Sequence, residues 1–493
     1  MRNARNPLTG KQRRQRVHRP SSMVRLRSGL APARPTALVL GIGLLGSCVS
    51  YEARPLDSRA HMQAWLGQDL KAESLTARLE RMELELDYDE HSFDARDGLR
   101  LEEGRWVALA YNPELRLARL RLTQATGVAA EAASWPDPQY SLSTLKLREQ
   151  TPDPWVVTHG LEFSLPLSGR VTALVSLKQA NAEVARCTVR EAEWKVLHEL
   201  SLAWVDWSAV QLGVEQTRDQ LERLGPMVSS TVQMAQAGEL LPTEAGLLAL
   251  DQALLNSRLQ ALLGQSAERR QEILALMGLP PQHSVPLVPG LLRREERPAG
   301  PQVTDATQLA ARNPTLTRLR GQYEVSEQHL RTEIAKQWPD VRLGPGLESD
   351  EARTKVGLVG GLTLPLWNAN REAIIEAQVG REWARAALES EHQTLLGRLA
   401  QIAHRSTSLE SQRMHLEERV VPLLDQQIFD AAQLMRRGEG SPIVLVQSLA
   451  RAHQTQLDWI AMRASLAKAE HERGFLIGPP RTAPEPETKD TIR

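Results

Sequence analysis

Trp106-Val-Ala-Leu-Ala-Tyr-Asn112-Pro113-Glu-Leu-Arg is answered, about 200 residues later, by Leu309-Ala-Ala-Arg-Asn313-Pro314-Thr-Leu-Thr-Arg. Working outward, Trp135-Pro136-Asp137 is answered by Trp338-Pro339-Asp340, and Leu165-Pro166-Leu by Leu364-Pro365-Leu. Met234-Ala-Gln-Ala-Gly238-Glu239 is answered by Met435-Arg-Arg-Gly438-Glu439. The four offsets are 201, 203, 199 and 200 residues. Landmarks that keep their order and spacing in this way imply a duplication, so the chain is read as two similar halves.

The bulk composition narrows the class. The 493 residues carry 60 basic and 60 acidic side chains, but residues 1–47 hold ten Lys/Arg and no Asp/Glu. The rest therefore carries 50 basic against 60 acidic residues, a net charge of −10. An acidic body lacks the clustered basic surface that nucleic acid requires. Only 4% of residues are aromatic, while Ala, Leu, Glu, Gln and Arg abound, a composition that favours long helices. Two cysteines, Cys48 and Cys187, offer neither a disulfide framework nor a metal-binding cluster. Cys187 shares a helical face with Ala180 and Val184 and reads as a small packing residue.

The first residues read as an export signal. An Arg-rich stretch precedes Thr36-Ala-Leu-Val-Leu-Gly-Ile-Gly-Leu-Leu-Gly-Ser-Cys48, whose apolar run of about eleven residues is too short to span a bilayer. Leu44-Leu45-Gly46-Ser47-Cys48 resembles the lipobox of bacterial lipoproteins, in which the Cys is lipidated and becomes the new N-terminus. Val49 follows, not Asp, and in lipoproteins that favours the outer membrane. The basic region is long from Met1 and of ordinary length from Met23, so either residue can be the true start.

Each half reads as a helix, two strands, a long helix, a tight turn and a returning helix. Helical character over 101–134 should stop at Trp135-Pro136, because proline disfavours helical geometry in the preceding residue. Strands are expected near 138–149 and 156–167. In the second, Val157, His159, Leu161, Phe163 and Leu165 alternate with Thr158, Gly160, Glu162 and Ser164. The first alternates poorly, with Lys146 and Arg148 on one face. In the second half, Val341, Leu343, Pro345 and Leu347 form one alternating set, and Val356, Leu358, Gly360 and Leu362 another. Helical stretches over 171–237 and 372–436 follow, each roughly 100 Å long at about 1.5 Å per residue. Val421, Leu424, Ile428, Ala431 and Met435 make a coiled-coil-like seam. Pro226 and Pro422 should kink the two helices. Gly238 and Gly438 suit helix C-terminal caps, and Pro242 and Pro442 suit the first turn of the returning helices. The expected organisation is a signal with lipobox over 1–47, an N-terminal segment over 48–100 and a first repeat over 101–278. A linker over 279–304, a second repeat over 305–474 and a disordered tail over 475–493 complete it.

Strands of about ten residues with one apolar face match the length a tilted transmembrane strand needs. Four strands cannot close a barrel, and an open edge in lipid leaves backbone groups unpaired. Closure therefore needs several chains: two would give eight strands and three twelve. The helices are too polar to cross a bilayer and should project into water. Trp135, Trp338 and Trp367 stand at helix–strand junctions, where a membrane interface would lie.

These landmarks resemble the outer membrane efflux protein (TolC) family, in its lipoprotein branch, over about residues 100–475. The paired Asn-Pro starts, Trp-Pro turns, Leu-Pro-Leu exits and tip glycines carry the resemblance. It implies a mainly α fold with transmembrane β structure: duplicated halves, long helical hairpins, and four strands contributing to a trimeric twelve-stranded barrel. It implies an outer-membrane channel, lipid-anchored through Cys48 and extending into the periplasm. That channel would take drugs or metal cations from an inner-membrane pump through a periplasmic adaptor. Gly238, Glu239, Gly438 and Glu439 would then lie at the hairpin tips, where such proteins meet the adaptor and close the aperture. Met234 and Met435 stand where relatives often carry an aromatic residue, so the tip contacts would differ in detail. Three copies of Glu239 and Glu439 would form acidic rings, although a solvated helix end accounts for them equally well.

Other classes fit less. The sequence has no Gly-rich phosphate loop, nucleophile elbow or zinc motif, so neither an enzyme nor a cofactor is expected. His198, His392, His404 and His415 are scattered on helices and read as surface residues rather than metal ligands. A type I protein secretion channel uses the same kind of outer component and remains an alternative. So does a periplasmic helical scaffold or adaptor lipoprotein, although an adaptor has one hairpin flanked by β domains rather than two in tandem.

Overall fold

The computed structural model describes residues 51–68, 70–80, 93, 95–146, 148, 155–166, 168–290, 303–350, 353–362 and 368–479. The chain falls into two compact units, Met1–Ala60 and His61–Arg493. Of the first unit only residues 51–60 are described, and they are exposed.

The elements run in duplicate after a short lead-in of α1 (Ser58–Leu66) and α2 (Ala72–Glu80). The first repeat is α3 (Leu101–Tyr111), α4 (Pro113–Glu131), β1 (Gln139–Lys146), β2 (Trp155–Leu165), α5 (Arg170–Gln236) and α6 (Pro242–Leu276). The second is α7 (Val303–Arg312), α8 (Pro314–Ala335), β3 (Val341–Asp350), β4 (Arg353–Leu362), α9 (Arg371–His415), a π-helical turn over Leu416–Val420, α10 (Val421–Arg436) and α11 (Pro442–Ile477).

The Asn-Pro pairs explain a break that helical periodicity conceals. Residues 101–131 form two helices, because proline pushes the residue before it out of helical geometry. Asn112 has φ −59° and ψ 127°, and Asn313 has φ −60° and ψ 123°. Each asparagine then caps the next helix: the Asn112 side-chain oxygen accepts from the Glu114 and Leu115 amides, and that of Asn313 from the Leu316 amide.

Two cores form at equivalent places. Leu115, Val196, Leu200, Trp204, Ile273 and Met277 pack in the first repeat. Leu309, Leu316, Leu395, Leu399 and Leu476 pack in the second. Each fully buried leucine contributes about 1.5–3 kcal/mol of transfer free energy. Helix α5 lies at the centre of the body. Its Glu193 pairs with Arg119 of α4 at 2.6 Å, and its Glu191 pairs with Arg318 of α8, so one helix holds both repeats. Residues 279–290 begin inside the first core: Leu279 and Val285 are buried, and the Trp204 indole donates to the Val288 carbonyl at 3.2 Å.

The two long hairpins differ where the repeats were expected to match. The backbone stays α-helical through Pro226. Before Pro422 the chain widens into the π-helical turn instead, which absorbs the missing N–H donor and the ring's steric demand within one turn. Of the seam on α10, Ala431 is buried and Leu424, Ile428 and Met435 are half-buried, while Val421 at its start is exposed.

Candidate functional site

Two features stand out as candidate functional surfaces, a four-stranded sheet at one end of the hairpins and two tight turns at the other. The sheet is antiparallel in the order β1-β2-β3-β4. Its register pairs Tyr140 with Leu161, Leu142 with His159, His159 with Leu347, Phe163 with Leu343, Leu347 with Val356 and Pro345 with Leu358. Side chains alternate between faces. Tyr140, Leu142, Val157, Leu161, Phe163, Leu343, Leu347, Val356 and Leu358 therefore share one face. Among the described residues nothing covers it: Val356 is 77% and Leu358 79% exposed. The opposite face carries Glu162 with Arg342 at 3.9 Å, and Lys355 with Glu348 and Asp350 at 3.0 and 2.8 Å. Among the described residues the outer edges of β1 and β4 have no partner strand.

The poor alternation of β1 now has a cause. Lys146 ends the strand opposite Trp155 and lies over its ring at 5.5 Å, so a cation occupies the rim of a largely apolar face. On the same face the Tyr140 hydroxyl and His159 Nδ1 are hydrogen-bonded at 2.7 Å. Pro345 has no N–H, and the β2–β3 ladder is interrupted between the Gly160–Gly346 and Phe163–Leu343 pairs.

Trp135 and Trp338 stand at the junctions between the helices and this sheet, 66% and 68% exposed. The third tryptophan of that set, Trp367, lies outside the described residues, as do Cys48 and the rest of the export signal. The junctions are held by an Arg170–Asp340 ion pair at 2.9 Å, which ties the start of α5 to the turn before β3. Residues in the left-handed region begin both descending helices, Gly169 at φ 70° and Asn370 at φ 56°. The Asn370 amide donates to the Glu333 carbonyl at 2.8 Å.

At the far end, Gly238 and Gly438 adopt φ 81° and 75°. Both close the same double hydrogen bond: Glu239 N–H to the Met234 carbonyl at 2.9 Å with Gly238 N–H to Ala235, and Glu439 N–H to Leu434 at 3.0 Å with Gly438 N–H to Met435. A Cβ at either glycine would meet nothing within 4 Å. Both turns and both glutamates are exposed. Arg436 and Arg437 flank Glu439, so the second turn is mixed in charge where the first is acidic. The two hairpins pack together just above these turns through Leu224, Val228, Leu248 and Val446. A cavity of about 300 Å³ opens beside that cluster, lined by Leu224, Asp251, Arg258 and His453 among others.

The histidines divide. His404 and His415 are exposed and His392 half-buried. His198 departs from the surface reading: it stacks on Phe475 with ring centroids 4.2 Å apart, and burial pushes its pKa down to about 4. Among the described residues no group of His, Cys, Asp and Glu could hold a metal ion. Among them, too, no helix is long and apolar enough to cross a membrane.

No protein-family model matches the sequence, and none of the curated proteins is similar to it. Solved structures are similar in fold. The outer-membrane channel OprN superposes with a TM-score of 0.65 at 18% identity, over 77% of this chain and 89% of that one. CusC, described for conformational changes on folding and transmembrane channel formation, gives 0.66 at 14% identity over 80% and 95%. The outer membrane protein VceC from Vibrio cholerae gives 0.65 at 16% identity over 77% and 96%. The chain thus has the mainly helical, four-stranded fold of the TolC-type outer membrane efflux channels.

Proposed function

We propose that this chain is the outer-membrane channel of a tripartite efflux system. Three copies would close one twelve-stranded barrel in the outer membrane, and their hairpins would form a tunnel through the periplasm. The observation that carries this reading is the two-faced sheet: a largely apolar face across four strands, backed by a face of paired charges, and, among the described residues, uncovered and open at both edges. A lipid-facing wall around an aqueous lumen requires that division. Open edges require closure by further copies, since unpaired backbone groups are costly in lipid.

The helices support an assembly as well. Ile375, Val379 and Trp383 form a stripe on α9 that is 60%, 63% and 72% exposed. Apolar surface of this extent marks a contact, here with the neighbouring copy. Trp135 and Trp338 would sit at the membrane–water boundary, and Cys48 would carry the lipid anchor. The exposed turns at Gly238-Glu239 and Gly438-Glu439 would meet a periplasmic adaptor, itself served by an inner-membrane pump, with drugs or metal cations as cargo. The reading requires no catalytic chemistry.

Removing the gene from its host tests this reading. Cells without the protein should retain more of a fluorescent efflux dye or a toxic cation, and the complemented protein should fractionate with the outer membrane. Unchanged retention of every probe, with the protein in the soluble periplasmic fraction, would overturn it.

A further inference from the structure

We propose that the body binds a small inorganic anion of halide size between Arg105 of α3, His198 of α5 and His471 of α11, where the two repeats meet. The three groups are brought together by a continuous set of contacts. Arg105 donates from Nη2 to the Ser201 hydroxyl at 3.0 Å. One turn before Ser201 on the same helix stands His198, whose ring stacks on Phe475. His471 lies one turn before Phe475 on α11.

Each of the three presents a buried nitrogen with no hydrogen-bond partner: Arg105 Nε, His198 Nδ1 and His471 Nε2. All three can donate, the imidazoles through whichever nitrogen carries the proton. Buried donors are ordinarily satisfied, so three orphans on three adjoining helices, with His471 within reach of the charges of Arg105 and His198, point to an occupant. Charge separates an anion from water. Arg105 cannot shed its proton under ordinary conditions, and among the described residues no carboxylate pairs with it. Nearby cations are matched, Arg473 by Asp305 at 2.8 Å and Lys468 by Asp206.

Of the carboxylates around the cluster, Glu103 of α3 is buried and accepts from the Arg100 amide at 2.8 Å, and the others are exposed or lie beside a cation. Glu102 of α3 is exposed, Glu199 of α5 lies beside Lys195 at 3.6 Å, and Glu470 of α11 lies beside Arg473 at 4.0 Å. Water could satisfy the donors, but an anion would also offset the burial of the guanidinium, which the charge of exposed Glu102 offsets only in part. Burial lowers the pKa of Arg105, and of both histidines to about 4; Arg105 and His198 also disfavour the charged form of His471. This is the field an anion would relieve. Single nitrogens offered from three helices, one guanidinium Nε and two imidazoles, suit a spherical ion such as chloride better than phosphate or a carboxylate, which take paired donors.

Binding is therefore linked to protonation, because an anion favours the imidazolium form. Two measurements test the site. Crystals of the whole chain soaked in bromide should show an anomalous peak in contact with Arg105, His198 and His471. Thermal melts at fixed ionic strength should rise as chloride replaces gluconate, and the apparent chloride affinity should tighten by up to about tenfold per pH unit between pH 6.5 and 4. Arg105→Gln and His471→Gln should abolish the chloride dependence while the gluconate melt persists. No bromide peak at the cluster, a peak without chloride-dependent stabilisation, or a melt that tracks ionic strength whatever the anion would each overturn the proposal. The wild-type measurements decide it even where a variant fails to fold.

Discussion

Asn112 and Asn313, 201 positions apart, make the same buried hydrogen bond: each donates its side-chain amide to the returning helix of its own repeat, to the Leu276 and Leu476 carbonyls, at 2.8 Å in both cases. Their side-chain oxygens cap the next helix, so one residue joins three segments of each repeat. Arg119 and Arg320 repeat the relationship one layer away, donating to the Leu109 and Ala310 carbonyls.

Replacing Asn112 or Asn313 by Ala removes a cap and leaves a buried carbonyl unpaired. Each variant should lose about 1–3 kcal/mol of stability, and the double variant roughly the sum, because the sites share no partner. Asp at either position keeps the acceptor and loses the donor, so it should fall between Ala and wild type. Denaturant midpoints check the ranking; a double variant as stable as either single one would refute it.

The left-handed glycines separate into two kinds. A Cβ at Gly278 would lie 2.3 Å from the Tyr111 carbonyl oxygen, and one at Gly478 would lie 2.5 Å from that of Arg312. Alanine there should prevent accumulation of folded protein. Alanine at Gly238 or Gly438 faces only its positive φ and should cost about 1–2 kcal/mol. The Gly238→Ala and Gly438→Ala proteins should therefore fold, and a loss of export in them would report on the tip itself. Expression level and melting temperature distinguish the two kinds.

Acid should loosen the body through its buried histidines. Burial lowers the pKa of His198 and His471 to about 4, and burial, then Arg258, lowers that of His453. An unfolded histidine titrates near 6.5, so below that pH the unfolded chain binds more protons than the folded one. The stabilisation is complete above pH ~6.5 and is lost as the pH falls towards 4, on the order of 2–3 kcal/mol for each strongly shifted histidine. In chloride-free buffer, His198→Gln and His471→Gln should flatten the pH dependence of the melting temperature over that window. An unchanged slope would contradict the assignment.

The two faces of the sheet predict opposite tolerance. Leu358→Arg introduces a charge on the apolar row and should cost about 2–4 kcal/mol near a bilayer midplane, whereas Val359→Arg points to the charged face and should cost little. Recovery of each variant in the membrane fraction checks this. Equal recovery of the two would remove the argument for a lipid-facing row.

The duplication was legible because its landmarks are backbone devices: Asn-Pro breaks, a Gly cap followed by Glu, Pro at the start of a returning helix. Such residues keep their place when the surrounding sequence drifts. Alternation also exposed β2, β3 and β4, whose rows are apolar but for His159 of β2. β1 was obscured by Lys146, which is tolerated only because Trp155 lies opposite, a fact of register that one strand cannot reveal. The π-helical turn before Pro422 was hidden, because proline at Pro226 is accommodated without one. His198 read as a surface residue since its own helix gives no reason to bury it; the burial comes from Phe475, 277 positions away. The cluster of Arg105, His198 and His471 was invisible for the same reason, being assembled from three helices.

The central claim is that several copies of this sheet close one barrel, and the mass of the detergent-extracted assembly tests it most directly. A stable complex of three chains, recovered from the outer-membrane fraction, is the predicted result. A soluble, monodisperse monomer would contradict it, because four strands with two open edges cannot persist in lipid.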